Sequence, residues 1–342
     1  MSETLNDIAN AMVADGKGIL AADESSGTIK KRFDSINVES TEDNRRDYRE
    51  MLFSADAMKD SISGVILFDE TLRQNAADGT PLVDLIKAAG AVPGIKVDKG
   101  AQDLVNYPGE KVTEGLDGLR GRMAEYYDLG ARFAKWRAVI TIGDDGRPSW
   151  ACVKANAHAL ARYAALCQEA GIVPIVEPEV LMDGPDAKHS LDECYRVTEW
   201  TLNTVFHDLF EAGVDLEGIV LKPNMIVPGQ HSGQSASVDE VAAATVKCLK
   251  ATVPSSVPGI AFLSGGQSDE LATAHLSAMN AMGGLPWKLT FSYGRALQAA
   301  ALKAWSGKSE NVAAGQKAFN HRARMNGKAA LGTWNDGLEK AA

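Results

Sequence analysis

Eight short apolar segments recur along this 342-residue chain, each followed by a polar turn and then by a segment with helical periodicity. They are rich in Val and Ile and nearly continuous in apolar character, which is typical of strands buried on both faces of a parallel sheet. The predicted strands are GILAAD (18–23), GVILFD (64–69), AVPGIKVD (91–98), FAKWRAVI (133–140), IVPIVEPE (172–179), GIVLKPN (218–224), GIAFLSG (259–265) and KLTFSYG (288–294).

The segments between these strands predict helices, for example 153–171 and 191–213, both of which end at a glycine. A strand that alternates with a helix eight times predicts an α/β protein with a (β/α)8 TIM barrel. A doubly wound open sheet is the structural alternative, but GILAADESSG lacks the GxGxxG fingerprint of that fold. We expect a single domain over residues 1–342, with barrel strands at about 18–294. An N-terminal helix precedes the barrel, and a helical extension and mobile tail follow at about 306–342.

The amino-acid composition limits the kinds of molecule that this protein is expected to bind. A formal net charge of −10 argues against nucleic acid but leaves room for a small phosphorylated substrate, which needs only a local cluster of basic residues. No run of 18 apolar residues and no signal peptide is present, so we predict no membrane contact and a cytoplasmic location. Four widely spaced cysteines predict reduced thiols, and the six histidines show no zinc-site spacing, so we predict no metal and no cofactor.

Ionisable residues stand at the carboxyl ends of nearly all the predicted strands. Strand geometry puts residues two apart on the same face, and barrel active sites are built at the carboxyl-end mouth. The alternative is that these charges are buried ion pairs or water-facing rim residues, although uncompensated charges there cost several kcal/mol each. The residues are Asp23, Asp69, Lys96 with Asp98, Lys135 with Arg137, Glu177 with Glu179, Lys222, and Arg295 just past the eighth strand.

Lys135, Arg137 and Lys222 follow apolar residues on strands four and six. A lysine in a water-poor pocket beside another cation has a lowered pKa and is more often the neutral amine that a Schiff base requires. Glu177 and Glu179, on the strand between, are placed to transfer protons, although Glu179 could instead hold one of the lysines in position.

Two glycine-containing segments, FLSGGQS (262–268) and FSYGRAL (291–297), end strands seven and eight and open predicted helices. Loops at this place commonly bind phosphate in TIM barrels through backbone N–H groups and the helix N-terminus. The candidates are Ser264, Gly265, Gly266, Ser292, Gly294 and Arg295. A basic run, Lys30, Lys31 and Arg32, could bind a second phosphate or could be a solvated helix face.

With these residues in view, the chain closely resembles class I fructose-bisphosphate aldolase. The matching segments are GKGILAADES, GIKVDKG, FAKWR, IVEPE, LKPNM, FLSGGQS and LTFSYGRALQA, in the order of the family and covering almost nine-tenths of the chain. The resemblance implies metal-independent cleavage of fructose 1,6-bisphosphate in glycolysis and gluconeogenesis, and it also implies a homotetramer.

The resemblance also implies residue roles. Lys222 corresponds to the Schiff-base lysine, Glu177 to its proton-transfer acid/base, Lys135 to the assisting lysine, and Asp23 to the carboxylate that deprotonates the C4 hydroxyl. The residues that match the C1-phosphate site are Ser264, Gly265, Gly294 and Arg295. Those that match contacts to the other phosphate are Arg32, Lys96 and Lys31.

This chain departs from the family's patterns in places. It has Asp69 where the family often has His, and Arg73 where the family often has Tyr. The C-terminal tyrosine of animal members is also absent, since the last tyrosine is Tyr293.

Two other functions remain as alternatives. One is a Schiff-base barrel acting on sugar monophosphates, such as a transaldolase, which would not need the second basic cluster. The other is a non-catalytic scaffold barrel, which would have no reason to retain Lys222, Glu177 and Asp23.

Overall fold

Eight parallel strands form a closed barrel in the computed structural model, which describes residues 3–340. Each strand pairs with the next along the chain, and the eighth pairs with the first, so the predicted TIM barrel is confirmed. The strands are β1 (Gly18–Ala22), β2 (Ile62–Leu67), β3 (Val92–Lys96), β4 (Phe133–Ile140), β5 (Val173–Val180), β6 (Val220–Leu221), β7 (Gly259–Phe262) and β8 (Lys288–Tyr293).

Helices cover the outside of the barrel and connect its strands. The helices of the first half are α1 (Leu5–Met12), α2 (Ser26–Asp34), α3 (Glu42–Phe53), α4 (Ala57–Asp60), α5 (Asp69–Arg73), α6 (Leu82–Ala88), α7 (Leu119–Asp128) and α8 (Trp150–Glu169). Those of the second half are α9 (Leu191–Glu211), α10 (Val238–Thr252), α11 (Asp269–Ala281), α12 (Arg295–Trp305), α13 (Val312–Ala330) and α14 (Asp336–Glu339). Short 3-10 turns occupy Leu216–Gly218 and Ser309–Asn311.

The predicted N-terminal helix is α1, and its N-cap is Thr4. The Thr4 hydroxyl accepts a hydrogen bond from the Asp7 N–H, and the Asp7 carboxylate accepts one from the Thr4 N–H, which forms a capping box. The buried face carries Ile8, Ala9 and Met12, and this face packs against barrel-interior residues. The structure therefore confirms the predicted N-terminal helix, and its apolar residues form the buried side.

The segment after residue 306 contains the predicted helical extension, α13, which packs on α12 and α11. The final turn is attached to it, because Glu339 accepts hydrogen bonds from Arg322 at 2.7 and 2.8 Å and from the Trp334 indole at 2.9 Å. Mobility of the tail stays a prediction, but up to Lys340 the structure shows specific contacts that a polar, glycine-containing sequence did not reveal.

Two features differ from the sequence prediction. The sixth strand is limited to two residues, because Pro223 follows Lys222 and cannot continue the pattern of backbone donors. A small antiparallel hairpin, Ala101–Asp103 with Lys111–Thr113, was not predicted. Within residues 3–340, no helix is long and apolar enough to cross a membrane. The four cysteines are buried and form no disulfide.

The base of the barrel is filled by the ring of Phe133, which is 0% exposed. The first residue of β4 reaches across to β2 and β3, where Gly64 and Gly94 leave space for it. A Cβ at Gly94 would lie 2.2 Å from the Phe133 ring, far inside contact distance. Glycine at this position is therefore required by packing.

We expect Gly94→Ala to destabilise the protein by roughly 1–3 kcal/mol, because the added methyl overpacks a closed core. Gly121→Ala is the matched control: Gly121 lies in α7 with open space around its Cβ, so alanine should stabilise the helix by about 0.5–1 kcal/mol. The urea midpoint of unfolding measures both changes. An unchanged midpoint for Gly94→Ala would contradict this account of the barrel base.

Candidate active site

A cavity of about 550 Å³ opens at the carboxyl-end mouth of the barrel. All but one of the strand-end charges named from the sequence line this cavity, as expected for residues two apart on the same face of a strand. Thirteen of the candidate residues line it: Asp23, Arg32, Lys96, Lys135, Arg137, Glu177, Glu179, Lys222, Ser264, Gly265, Ser292, Gly294 and Arg295.

Lys222 follows β6 directly and is held by the backbone of the neighbouring strand. Its N–H donates to the Val176 carbonyl at 2.8 Å. Two residues later, the Asn224 side-chain oxygen accepts from the Val180 N–H at 3.0 Å. The segment that follows the short strand is thus tied to β5 on both sides of Lys222, and the buried Lys222 side chain starts from a fixed backbone.

Lys222 and Lys135 share one carboxylate at the centre of the cavity. The Lys222 Nζ lies 3.2 Å from Oε1 of Glu177, and the Lys135 Nζ lies 3.1 Å from Oε2 of the same residue. Lys135 also donates a hydrogen bond to Oδ2 of Asp23 at 3.0 Å. We call these four residues the lysine–carboxylate cluster. Within residues 3–340, Glu177 Oε2 makes no hydrogen bond of good geometry, so it retains capacity for a proton.

The two lysines have opposite protonation tendencies. Burial lowers the pKa of Lys222; Glu177 opposes this shift, and the charge of Lys135 adds to it. Burial would also lower the pKa of Lys135, but Asp23 and Glu177 together raise it above its ordinary value. The expectation of a lowered pKa therefore applies to Lys222, while Lys135 stays charged because it contacts two carboxylates.

The two carboxylates of the cluster remain ionised. Burial favours the neutral acids, yet Lys135 and Lys222 hold the pKa of both Asp23 and Glu177 below their ordinary values. Asp23 is therefore a carboxylate that can accept a proton from a bound molecule.

Glu179 has a different partner from the one considered in the sequence analysis. Its carboxylate accepts a hydrogen bond from Arg137 Nε, two residues along β4 from Lys135. Lys96 similarly pairs with Asp98 at 2.6 Å. These pairs lie on the β3–β5 side of the mouth, across the barrel from the loops after β7 and β8.

The loop after β7, which we call the anion-binding loop after its predicted role, turns at Gly265. Gly265 has a φ of +51°, and a Cβ there would lie 2.4 Å from the Met182 sulphur, so no larger residue fits. Arg295 lies against this loop, because its Nη2 donates to the Gly265 carbonyl. The Ser292 hydroxyl nearby is buried and has no hydrogen-bond partner among residues 3–340, which leaves it able to bind a ligand oxygen.

Arg32 lines the cavity and is held there by Glu24, a residue that the sequence analysis did not single out. Glu24 binds Arg32 on one carboxylate oxygen and the buried Arg49 on the other, at 2.6 Å. Gln298 also donates to Glu24, at 2.9 Å. Arg32 lies beside Gly294, since a Cβ there would be 3.6 Å from its Nη2. No local motif signals Glu24, because its partners are distant in sequence.

Three predicted positions lie outside the cavity. Lys31 is exposed and does not line it, because it follows Lys30 on the solvent side of α2. Gly266 borders a neighbouring cavity instead. Asp69 begins α5 and pairs with Arg73 at 3.1 Å, so its charge is satisfied away from the mouth.

Metal ligation has no candidate cluster: residues 3–340 contain no group of three or more His, Cys, Asp or Glu placed to hold an ion. A TIM barrel with a buried amine, ionised carboxylates and an anion-binding loop at its carboxyl-end mouth defines an enzyme of carbonyl chemistry on a charged substrate. The predicted absence of metal and cofactor stays a prediction.

Comparison with known proteins identifies the family. A family model described as fructose-bisphosphate aldolase class-I matches residues 4–342. A probable class 1 fructose-bisphosphate aldolase of Xanthomonas axonopodis pathovar citri is 58% identical over 333 residues, 97% of this chain and 98% of its own. A cytosolic fructose-bisphosphate aldolase of Arabidopsis thaliana is 55% identical over 95% of this chain and 82% of its own.

A solved structure agrees with these relatives. The fructose-bisphosphate aldolase of Plasmodium falciparum superposes with a TM-score of 0.95 at 49% identity, covering 97% of this chain and 95% of that one. The chain therefore belongs to the class I fructose-bisphosphate aldolase family, a family of aldehyde-lyases.

Replacing Lys135 by Met should raise the pKa of Lys222, because the cation that disfavours its charged form is removed while both carboxylates remain. A raised pKa means that the neutral amine appears only at higher pH. The pH at which borohydride traps half the maximal ketone adduct on Lys222 should therefore move upward.

Lys135→Arg is the matched control, since it keeps the positive charge and should move the trapping profile less than Lys135→Met does. A profile displaced to lower pH in Lys135→Met would contradict the electrostatic role of Lys135.

Proposed function

We propose that this chain catalyses the reversible cleavage of fructose 1,6-bisphosphate to dihydroxyacetone phosphate and glyceraldehyde 3-phosphate through an imine on Lys222. The observation that carries the proposal is the lysine–carboxylate cluster, in which Glu177 lies 3.2 Å from Lys222 and 3.1 Å from Lys135. Membership of the family supports the same reaction.

The first step forms the imine. The neutral Lys222 amine attacks the C2 carbonyl to form a carbinolamine, which loses its hydroxyl as water to give a protonated imine. Glu177, ionised in the free site, first takes a proton from the nearby Lys222 ammonium to leave the neutral amine, and it later returns that proton to the departing hydroxyl. Lys135 stays protonated and stabilises the carboxylate that remains.

The second step breaks the C3–C4 bond. Asp23 takes the C4 hydroxyl proton, the C3–C4 electron pair moves toward the imine nitrogen, and glyceraldehyde 3-phosphate leaves with a new C4 carbonyl. The enamine is then protonated at C3, and water hydrolyses the imine to release dihydroxyacetone phosphate. We propose that no metal ion or cofactor takes part, since the imine nitrogen is the electron sink.

Charge in the cavity suits a doubly phosphorylated substrate. The chain has a formal net charge of −10, yet the cavity is lined by as many basic as acidic residues, Lys222 included. We propose that Ser264, Gly265, Ser292, Gly294 and Arg295 hold the C1 phosphate. Arg32 and Lys96, whose side chains also line the cavity, hold the other phosphate. The exposed Lys31 is at most a peripheral contact.

The setting of the reaction is also part of the proposal. We infer that the enzyme acts in the cytoplasm, which is supported by relatives named as cytosolic in Arabidopsis thaliana. We further infer a homotetramer, which rests on the resemblance to the family alone. Glycolysis and gluconeogenesis are the pathways that contain this reaction.

Trapping the imine tests the nucleophile. Borohydride added with dihydroxyacetone phosphate should leave a reduced adduct on Lys222, identified by peptide mass mapping, because Lys222 has the lowered pKa. Lys222→Met should abolish the adduct. Finding the adduct on Lys135 in the unaltered protein would reject the assignment.

Separate substitutions test the two carboxylates. Glu177→Gln should bind substrate but form the imine more slowly, by about 10²–10⁴-fold. Asp23→Asn should still give the borohydride adduct with dihydroxyacetone phosphate but fail to cleave fructose 1,6-bisphosphate. Rapid-quench trapping and a coupled cleavage assay measure the two reactions. If Asp23→Asn loses both in equal proportion, the division of roles is wrong.

A further inference from the structure

Behind the loop after β7, a buried pair of side chains connects that loop to helix α11. His275 lies on α11 and is 2% exposed, and its Nδ1 is 2.5 Å from Oε1 of Gln267. Gln267 in turn donates to the Ser264 carbonyl from its side-chain Nε2 at 3.0 Å, in addition to its backbone N–H at 3.2 Å. The side chains thus form a chain of hydrogen bonds that ends on the backbone of the anion-binding loop.

The direction of each hydrogen bond in this series follows from which atoms can donate and which can accept. Because Gln267 uses its Nε2 group as donor to Ser264 and to the Met225 sulphur, its Oε1 must accept from His275. The His275 proton therefore sits on Nδ1. Burial lowers the pKa of His275 to about 4, so the imidazole is neutral at physiological pH. Its Nε2 has no partner within residues 3–340.

The Ser264 carbonyl and the Gly265 N–H belong to one peptide unit. In a planar trans peptide these two groups point in opposite directions. Holding the carbonyl toward Gln267 therefore turns the Gly265 N–H away from Gln267. Gly265 lines the active-site cavity, and Gln267 borders the neighbouring one. Within residues 3–340, the Gly265 N–H donates to no protein acceptor. It is thus oriented for an anion in the cavity.

We propose that His275 and Gln267 are positioning residues, which set the direction of the Gly265 N–H and thereby the affinity for the phosphate next to the reacting ketone. The proposal rests on the proposed function. Neither residue touches the substrate: Gln267 acts through the Ser264 peptide, and His275 acts by fixing the Gln267 amide. Such an effect is specific for phosphorylated ketones, because an unphosphorylated ketone has nothing for that N–H to bind.

Three variants and two ketones test this inference. His275→Leu keeps an apolar side chain of similar size but removes the donor, so it should raise KM for fructose 1,6-bisphosphate about tenfold with a smaller change in kcat. Gln267→Met should act in the same direction. His275→Asn should restore KM to near the unaltered value, because the asparagine amide nitrogen can replace Nδ1 as donor. His158→Leu, at an exposed position of α8, is the matched control and should change neither constant.

Borohydride trapping provides a second measurement on the same proteins. In the unaltered enzyme, dihydroxyacetone phosphate should give the adduct at far lower concentration than dihydroxyacetone. In His275→Leu and Gln267→Met that preference should fall about tenfold, while trapping with dihydroxyacetone stays the same. An unchanged preference, an equal loss with both ketones, or His275→Asn as impaired as His275→Leu would overturn the inference. Absence of any adduct in the unaltered enzyme would instead overturn the proposed function.

Discussion

The central constraint on this structure is that four ionisable side chains lie together, with little exposure to solvent, at the mouth of the barrel. Removing one charge from water costs several kcal/mol unless an opposite charge repays it. Lys135 contacts both Asp23 and Glu177, and Glu177 also contacts Lys222. Each charge is tolerated because its neighbours are in place, so the cluster behaves as one unit. A substitution at any member changes the protonation of the others.

The barrel supplies the precision that this cluster requires. Asp23, Lys135, Glu177 and Lys222 are separated by up to about two hundred residues in sequence, yet they come from strand ends that closure brings to one place. The strand register also fixes the level of Glu177 on β5, because its partner on β4 is Arg137, two residues after Lys135. Rigid strands hold the reacting groups more closely than loops would, which matters because small displacements of catalytic groups are costly in rate.

Much of this arrangement could be predicted from the sequence because strands obey simple rules. Eight apolar segments predicted the barrel. The alternation of side chains along a strand predicted that Lys135 shares a face with Arg137, and Glu177 with Glu179. The prediction was weaker where a partner is set by tertiary contact. The buried charge of Glu24 depends on the distant Arg49 and Gln298, so no local pattern revealed it.

Helical positions were harder to place than strand positions for the same reason. A strand end faces one of two sides, whereas a helical residue can face any direction around its axis. Asp69 and Lys31 follow apolar strands closely in sequence, but each belongs to a helix that turns its side chain from the cavity. His275 is the opposite case, because its depth beneath the anion-binding loop follows from how α11 packs.

The two lysines show how one environment produces two functions. Both are buried and both lie close to Glu177, so burial alone cannot separate them. The difference is the second carboxylate: Asp23 forms an ion pair with Lys135 and contributes only at longer range to Lys222. Lys135 is consequently held as a cation, and its charge contributes to the lowered pKa of Lys222. The position of Asp23 thus distinguishes Lys222, the proposed nucleophile, from Lys135, and the same carboxylate is the proposed acceptor of the substrate proton.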